Sequence, residues 1–311
     1  MEEKVTKEAE IKFEKQQSVV LKEEHEMDFR TKEAYKTLRA NLEFAGDDVK
    51  VIAITSCTPN EGKSSTSMNL AKAIAESGKK VILIDADLRK SVLVGRYKTG
   101  AVKYGLTHYL SGQKSFNEVY CTTNVKNLYV AFSGPVPPNP SELLGGKYFA
   151  SMIKSLRSVF DYVIIDTPGD TGSPFRLAAA AADTALVVST YQPASIRAAE
   201  RTGILLSEEG VAARKLIINC FDADSIEFGI QPSLLEVIDK TCIQLIGIIP
   251  YDAELAEKQA LGQDVFTLHR ANSAAAFANI AKRVTGRSVP LFSGFRKIKR
   301  ASLLKRILFD R

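Results

Sequence analysis

The 311-residue sequence has no apolar run approaching the roughly 18–20 residues that cross a bilayer. That absence argues against a membrane-spanning helix. The opening stretch, "MEEKVTKEAEIKFEKQQ", is charged and lacks the apolar centre of a secretory signal. Cysteine is scarce. Cys57, Cys121, Cys220 and Cys242 are scattered without CxxC or metal-type spacing, which excludes a disulfide framework and implies reduced thiols in a cytosolic protein. No self-similar period of 20–50 residues is present, so a solenoid is excluded. Tyrosine is missing from the end: the last is Tyr251, and the final 60 residues hold none.

What is present is unevenly placed. The net charge is +6, but residues 1–28 carry nine acids against five lysines, while residues 287–311 carry eight Lys or Arg against a single Asp. The basic character therefore sits largely in a short tail, which is where an anionic partner is expected. Residues 1–28 are polar and weakly patterned, and read as a flexible arm. From about residue 29, "FRTKEAYKTLRANLEF" spaces Phe29, Ala34, Tyr35, Leu38 and Leu42 near one helical face.

A regular β/α alternation follows. Strands are expected at 51–55, 80–85, 128–132, 162–166, 184–189, 215–219 and 245–250. Helices are expected at 63–77, 141–159, 174–182, 194–209, 231–240, 253–260 and 272–285. Several strand segments are unbroken Val/Ile/Leu runs, as in parallel strands covered on both faces. The expected fold is α/β, a doubly wound and mostly parallel sheet with helices on both faces, as a single domain over 29–286. Gly286 onward reads as a linker into the tail at 287–311.

Behind the strand "VIAI" stands "TSCTPNEGKSS" at residues 55–65, with a helix starting near Lys63. Strand, loop and helix in that order are the setting of a phosphate-binding loop. Gly62 lets backbone approach phosphate oxygens. Successive N–H groups from about Asn60, through Glu61, to Ser65 would point into one concavity at a helix N-terminus that favours an anion, and Pro59 just before them belongs to the same candidate binding loop. Lys63 would reach the outer phosphates, and Ser64 would ligate Mg²⁺. The usual pattern is G-x-x-x-x-G-K-[ST], and Cys57 holds its first position. A chance "GKS" before a helix is the competing reading.

Two further motifs weigh against chance. "VILIDADLRKS" ends a strand in Asp85 and Asp87, and "YVIIDTPGD" ends another in Asp166. Ligands of open parallel sheets bind outside the C-terminal strand edges, so these carboxylates would stand above the loop. Hard oxygen donors there suit Mg²⁺, with Ser64, Asp85 and Asp166 as candidate ligands. Taken singly, each Asp reads equally well as a helix cap or loop residue.

Four stretches together resemble bacterial tyrosine kinases of the capsular and exopolysaccharide type, the CpsD/CapB-like family. They are "EAYKTLRANLEF", "TSCTPNEGKSS", "VILIDADLRKS" and "PPNPSELLGGKYFASMIKSLRSVFDYVIIDTPG". The resemblance implies a Walker A motif at Cys57–Ser64, Walker A′ at Ile82–Arg89 and Walker B at Val163–Pro168. It implies ATP and Mg²⁺, with catalytic roles for Lys63, Asp85, Asp87 and Asp166, and a tyrosine as acceptor. The later half, with "KLIINCFDAD" and "LIGIIPYDAEL", is similar to the MinD/ParA group of the same P-loop superfamily. That likeness implies adenine contacts at Asn219, Pro250 and Asp252. MinD-type loops carry an early lysine where this chain has Thr58, which favours the kinase-like side. The missing C-terminal tyrosines count against it, because family kinases usually end in a tyrosine cluster. Glu33, Lys36 and Arg39 match a family oligomerisation motif with Lys in place of an Arg, so a dimer or ring is expected. An ordinary solvated helix face reads equally well.

In "SGFRKIKRASLLKRILFDR" the residues Leu303, Leu304, Ile307 and Leu308 fall in an arc of about 140° on a helix beginning near Ser302. Basic residues flank that arc, a composition that suits an anionic membrane surface, here residues 302–311. Docking on its own domain is the competing reading. Nucleic acid is set aside, because it would leave the apolar stripe unexplained. The expected protein is a Mg²⁺- and ATP-dependent tyrosine kinase-like enzyme at the cytoplasmic face of the membrane, controlling polysaccharide synthesis or export. By family analogy its activator is a membrane-spanning adaptor of the polysaccharide co-polymerase type. The alternative is a MinD-like ATPase switch with water as acceptor, and a non-enzymatic ATP-binding scaffold is a distant third.

Overall fold

In the computed structural model the described residues are 17–21, 32, 34–36, 38–39, 49–56, 58–97, 99–211, 213–221 and 234–250. Their strands are β1 (Gln17–Ser18), β2 (Val51–Thr55), β3 (Val81–Asp85), β4 (Tyr120–Thr122), β5 (Leu128–Ala131), β6 (Tyr162–Asp166), β7 (Thr184–Ser189), β8 (Ala213–Phe221) and β9 (Gln244–Pro250). Among the described residues they form one sheet in the order β1-β4-β5-β3-β6-β2-β7-β8-β9. Every pairing is parallel except β4 with β5. The seven strands expected from the Val/Ile/Leu runs are all present.

The sheet is covered on both faces, which is why its strands need no polar side. All five residues of β2 and of β3 are buried. Ile52 and Ile54 pack in one layer with Met68, Leu70 and Ile74 of α1 (Lys63–Glu76), while Ala53 joins a layer on the other face with Phe175 and Ala199. The alternation is the two-residue period of a strand working between two helix layers. Ile82, Ile84, Val163 and Ile165 meet Phe149, Met152, Ile153 and Leu156 in a third cluster. Each such side chain, taken fully out of water, contributes about 1.5–3 kcal/mol.

The remaining helices are α2 (Leu93–Arg96), α3 (Leu106–Leu110), α4 (Phe116–Val119), α5 (Pro140–Gly145), α6 (Lys147–Val159), α7 (Ser173–Ala179), α8 (Pro193–Glu208) and α9 (Leu234–Thr241). The single helix expected over 141–159 is broken at Gly146, whose extended backbone separates α5 from α6. In the expected helix after residue 29, residues 32, 34–36, 38 and 39 are helical, and Ala34, Tyr35 and Leu38 are buried as their spacing predicts.

The expected flexible arm over 1–28 is corrected at residues 17–21. Gln17 and Ser18 add a parallel strand to the edge of β4, and Val19 and Leu21 are buried. The Gln17 amide explains the order. Its Nε2 donates to the carbonyls of Tyr104 (3.0 Å) and Glu118 (2.6 Å), and its Oε1 accepts the Lys103 N–H at 2.8 Å. Two residues are too few to show a strand period, so the sequence pattern could not reveal β1. The helices expected at 253–260 and 272–285, and the tail at 287–311, lie outside the described residues.

Candidate functional site

Strand order brings the chemistry together. β3, β6 and β2 are neighbours, and their registers pair Asp85 with Asp166 and Asp166 with Ile54. Asp85 and Asp166 therefore end adjacent strands beside the loop that leaves β2. This is the carboxyl edge at which open parallel sheets bind ligands.

The loop is shaped by two positive-φ residues, Asn60 (66°) and Gly62 (88°). Gly62 occupies the N-cap of α1, so the helix begins at Lys63 and its first N–H groups face the loop's concavity. Two side chains brace the turn. Glu61 Oε2 accepts the Thr58 N–H at 3.0 Å, and Asn219 Nδ2 donates to the Glu61 carbonyl at 2.8 Å. A Cβ on residue 62 would overlap that Asn219 nitrogen.

Lys63 lies at the floor, buried, with its Nζ 2.8 Å from Asp166 Oδ1 and 3.3 Å from Ser64 Oγ. Ser67, one turn further along α1, donates to the same Asp166 oxygen at 3.0 Å. The ammonium thus stands between the two oxygens expected to hold a cation, in the position of a positive charge those donors already accommodate. Hard hydroxyl and carboxylate oxygens of this kind fit Mg²⁺, which keeps several waters and takes few protein ligands. No cluster of three or more His, Cys, Asp or Glu residues arranged for a metal occurs among the described residues.

Asp85 is fully buried. Burial, and then the Asp166 carboxylate, push its pKa up to about 7, against the opposing hydrogen bond from Ser91. Its Oδ1 has no hydrogen-bond partner among the described residues. Asp87 differs. It is half-buried on the wall of an open cleft of about 290 Å³ above the loop, and its Oδ1 accepts the Lys90 N–H at 3.0 Å.

Pro59, Asn60, Gly62, Lys63, Ser64 and Asp87 all line that cleft. Glu61 is buried and braces the loop, and the Ser65 hydroxyl accepts a hydrogen bond from Arg96. Asn219, expected at an adenine, spends its amide nitrogen on the loop. Pro250 closes β9 opposite Phe221, while Asp252 and Cys57 lie outside the described residues. Ser67, Ser91 and Arg96 were not anticipated. Ser67 alone left a signal, four residues after Lys63 on one helix face. Arg39 Nη1 donates to the Ala73 carbonyl at 3.1 Å, so its side chain is engaged within the chain. Of the tyrosines that follow β3, Tyr97 is buried, and Tyr104 and Tyr109 are half-buried.

A family model described as an AAA domain matches residues 49–203. Tyrosine-protein kinase CpsD of Streptococcus pneumoniae serotype 4 is 37% identical over 207 residues, which are 65% of this chain and 89% of the relative. The chain belongs to the CpsD-like family of the P-loop MinD/ParA superfamily. Tyrosine-protein kinase CpsD of Streptococcus agalactiae is 49% identical over 140 residues, 45% of this chain. The match spans 61% of that relative's length. Two solved structures support the fold of this CpsD-like chain. The kinase domain of Escherichia coli tyrosine kinase ETK is 31% identical with a TM-score of 0.56, over 60% of this chain and 74% of that one. The MinD cell division protein of Aquifex aeolicus is 26% identical with a TM-score of 0.62, over 78% of this chain and 99% of that one. No helix among the described residues is long and apolar enough to cross a membrane.

Proposed function

We propose that this chain is an ATP- and Mg²⁺-dependent protein tyrosine kinase. Lys63 and the loop N–H groups hold the phosphates, and Ser64 and Asp166, with Asp85 behind, hold Mg²⁺. A Mg²⁺ ion held by those residues would supply charge neutralisation at the phosphate oxygens. Asp87 receives the proton of the acceptor hydroxyl as the tyrosyl oxygen bonds the γ-phosphorus, the β–γ bridge breaks and ADP departs. Asp87 is preferred to Asp85 as the base because it faces the cleft, whereas Asp85 is sealed beneath it. Catalysis is then mainly positioning and charge neutralisation.

The observation that carries this reading is the Lys63 ammonium held between Ser64 Oγ and Asp166 Oδ1, directly below a cleft whose wall bears Asp87. The tyrosine acceptor rests on the kinase relatives. Self-association, an activating membrane-spanning adaptor of the polysaccharide co-polymerase type and a cytoplasmic site at the membrane face complete the proposal, with Asn219, Pro250 and Asp252 at the adenine side.

The test is incubation with Mg-ATP, with and without an adaptor fragment, reading phosphotyrosine and free phosphate together. Phosphotyrosine that vanishes in Lys63→Ala is expected. Steady phosphate release with no phosphotyrosine under any condition would sink the kinase reading in favour of a MinD-like ATPase. For the basic end, removal of residues 302–311 is expected to reduce co-sedimentation with anionic liposomes, and unchanged binding would defeat the membrane assignment.

A further inference from the structure

Lys63 and the loop account for the phosphate end of the cleft, yet three further cations stand on it: Arg89, Lys90 and Arg96. Arg96 is anchored on Ser65 in the first turn of α1. Arg89 and Lys90 are exposed, and among the described residues neither has an ion-pair partner. Their backbone is nevertheless held, because Asp87 Oδ1 accepts the N–H groups of Arg89 (3.4 Å) and Lys90 (3.0 Å). The carboxylate assigned to the acceptor's proton therefore also organises the turn that presents two uncommitted cations. Val92 follows on the same wall with 46% of its surface exposed, apolar area left at the mouth of a charged cleft. Across the cleft, the Asp170 carboxylate is turned onto the Gly172 N–H at 2.9 Å.

We propose that this wall is an acceptor subsite selecting tyrosines with acidic neighbours, together with an apolar neighbour that seats on Val92. The proposal rests on the kinase reading and names its substrate class. An extended acceptor advances about 3.4 Å per residue, so neighbours of a tyrosine whose hydroxyl meets Asp87 pass along the turn bearing Arg89 and Lys90. Carboxylates there gain two unpaired cations, whereas lysine or arginine neighbours meet repulsion, and repulsion is an effective source of discrimination. The criterion also sorts the chain's own tyrosines. Tyr148, the exposed tyrosine among the described residues, follows Lys147 and has no acidic residue adjacent, so it is a poor acceptor.

The experiment uses the full chain with Mg-ATP and three peptides identical except for glutamate, glutamine or lysine around one tyrosine. The kcat/KM for the glutamate peptide is expected to exceed that for the lysine peptide by about tenfold. Arg89→Glu with Lys90→Glu is expected to reverse the order without changing the KM for ATP. Flanks without effect, or a double variant that raises the KM for ATP and keeps the preference, would overturn the proposal by returning these cations to the nucleotide. Binding of fluorescent versions carrying phenylalanine for tyrosine separates the two readings. Tighter binding of the glutamate version with no phosphotyrosine formed removes the kinase reading and keeps the acidic docking wall. Equal binding of all versions removes the wall, whatever the activity.

Discussion

Gly62 has two independent reasons to be glycine. Its φ of 88° lies where other side chains are strained by about 1–2 kcal/mol, and the Asn219 amide fills the space a Cβ would need. Gly62→Ala is therefore expected to weaken binding of a fluorescent ATP analogue by about tenfold, since about 1.4 kcal/mol, in the middle of that range, corresponds to one power of ten. Adding Asn219→Gly relieves the overlap but not the backbone strain, so affinity returns in part. Wild-type affinity in Gly62→Ala would show that the nucleotide sits elsewhere. Both features of this residue illustrate how unevenly a site is written in sequence. Lys63, Asp87 and Asp166 stand in spaced motifs at strand ends, where local order implies their placement. Asn219 lies 158 positions from Glu61, and only the order of strands in the sheet brings it to the loop. Ser91 and Arg96 lie in irregular turns, where no period constrains a side chain.

Secondary structure was legible where residues repeat an environment. Strands buried on both faces must be apolar throughout, so β2, β3, β6 and β7 announced themselves. β4 is only three residues long and pairs with the nearby β5, while the two-residue β1 owes its place to a partner distant in sequence. The same distance hides the clip at the base of β2. Asp183 Oδ2 accepts the N–H groups of Lys50 (3.0 Å) and Val51 (2.8 Å), and its Oδ1 accepts Arg157 of α6. Burial would raise its carboxyl, but Arg157 and the two N–H groups outweigh that and hold it below its ordinary value. A carboxyl lowered in the native state binds protons more readily when unfolded, so its contribution is present above about pH 4 and fades as the pH falls through the native value. Asp183→Asn is expected to cost about 1–3 kcal/mol in urea unfolding at pH 7. The gap between variant and wild type should narrow progressively below pH 4. A gap independent of pH would mean that packing, not charge, ties β2 to α6.

The fold is wound around a buried charge. α1 leaves β2 carrying Lys63, crosses one face of the sheet, and is joined through that ammonium to Asp166 at the end of β6, with 8% and 1% of the two side chains exposed. Asp85 beside them adds a second carboxyl, one of whose oxygens has no hydrogen-bond partner among the described residues. Ions so enclosed are costly when a partner is removed, because desolvation persists without its compensation. Lys63→Ala is accordingly expected to lower stability by about 3–5 kcal/mol, beyond abolishing phosphoryl transfer. Lys63→Ala with Asp166→Asn removes both charges, and should recover most of that loss while remaining inactive. Ligand linkage supplies the second half of the test. A Mg²⁺ nucleotide at about 100 times its dissociation constant stabilises the native state by about 2.7 kcal/mol. Wild type should show that as a rise in Tm of several degrees, and neither variant should respond. Two equal losses, from the single and the double variant, would mean that the floor is held by packing around the pair. The same outcome would leave the Lys63 ammonium without its role as occupant of a cation position.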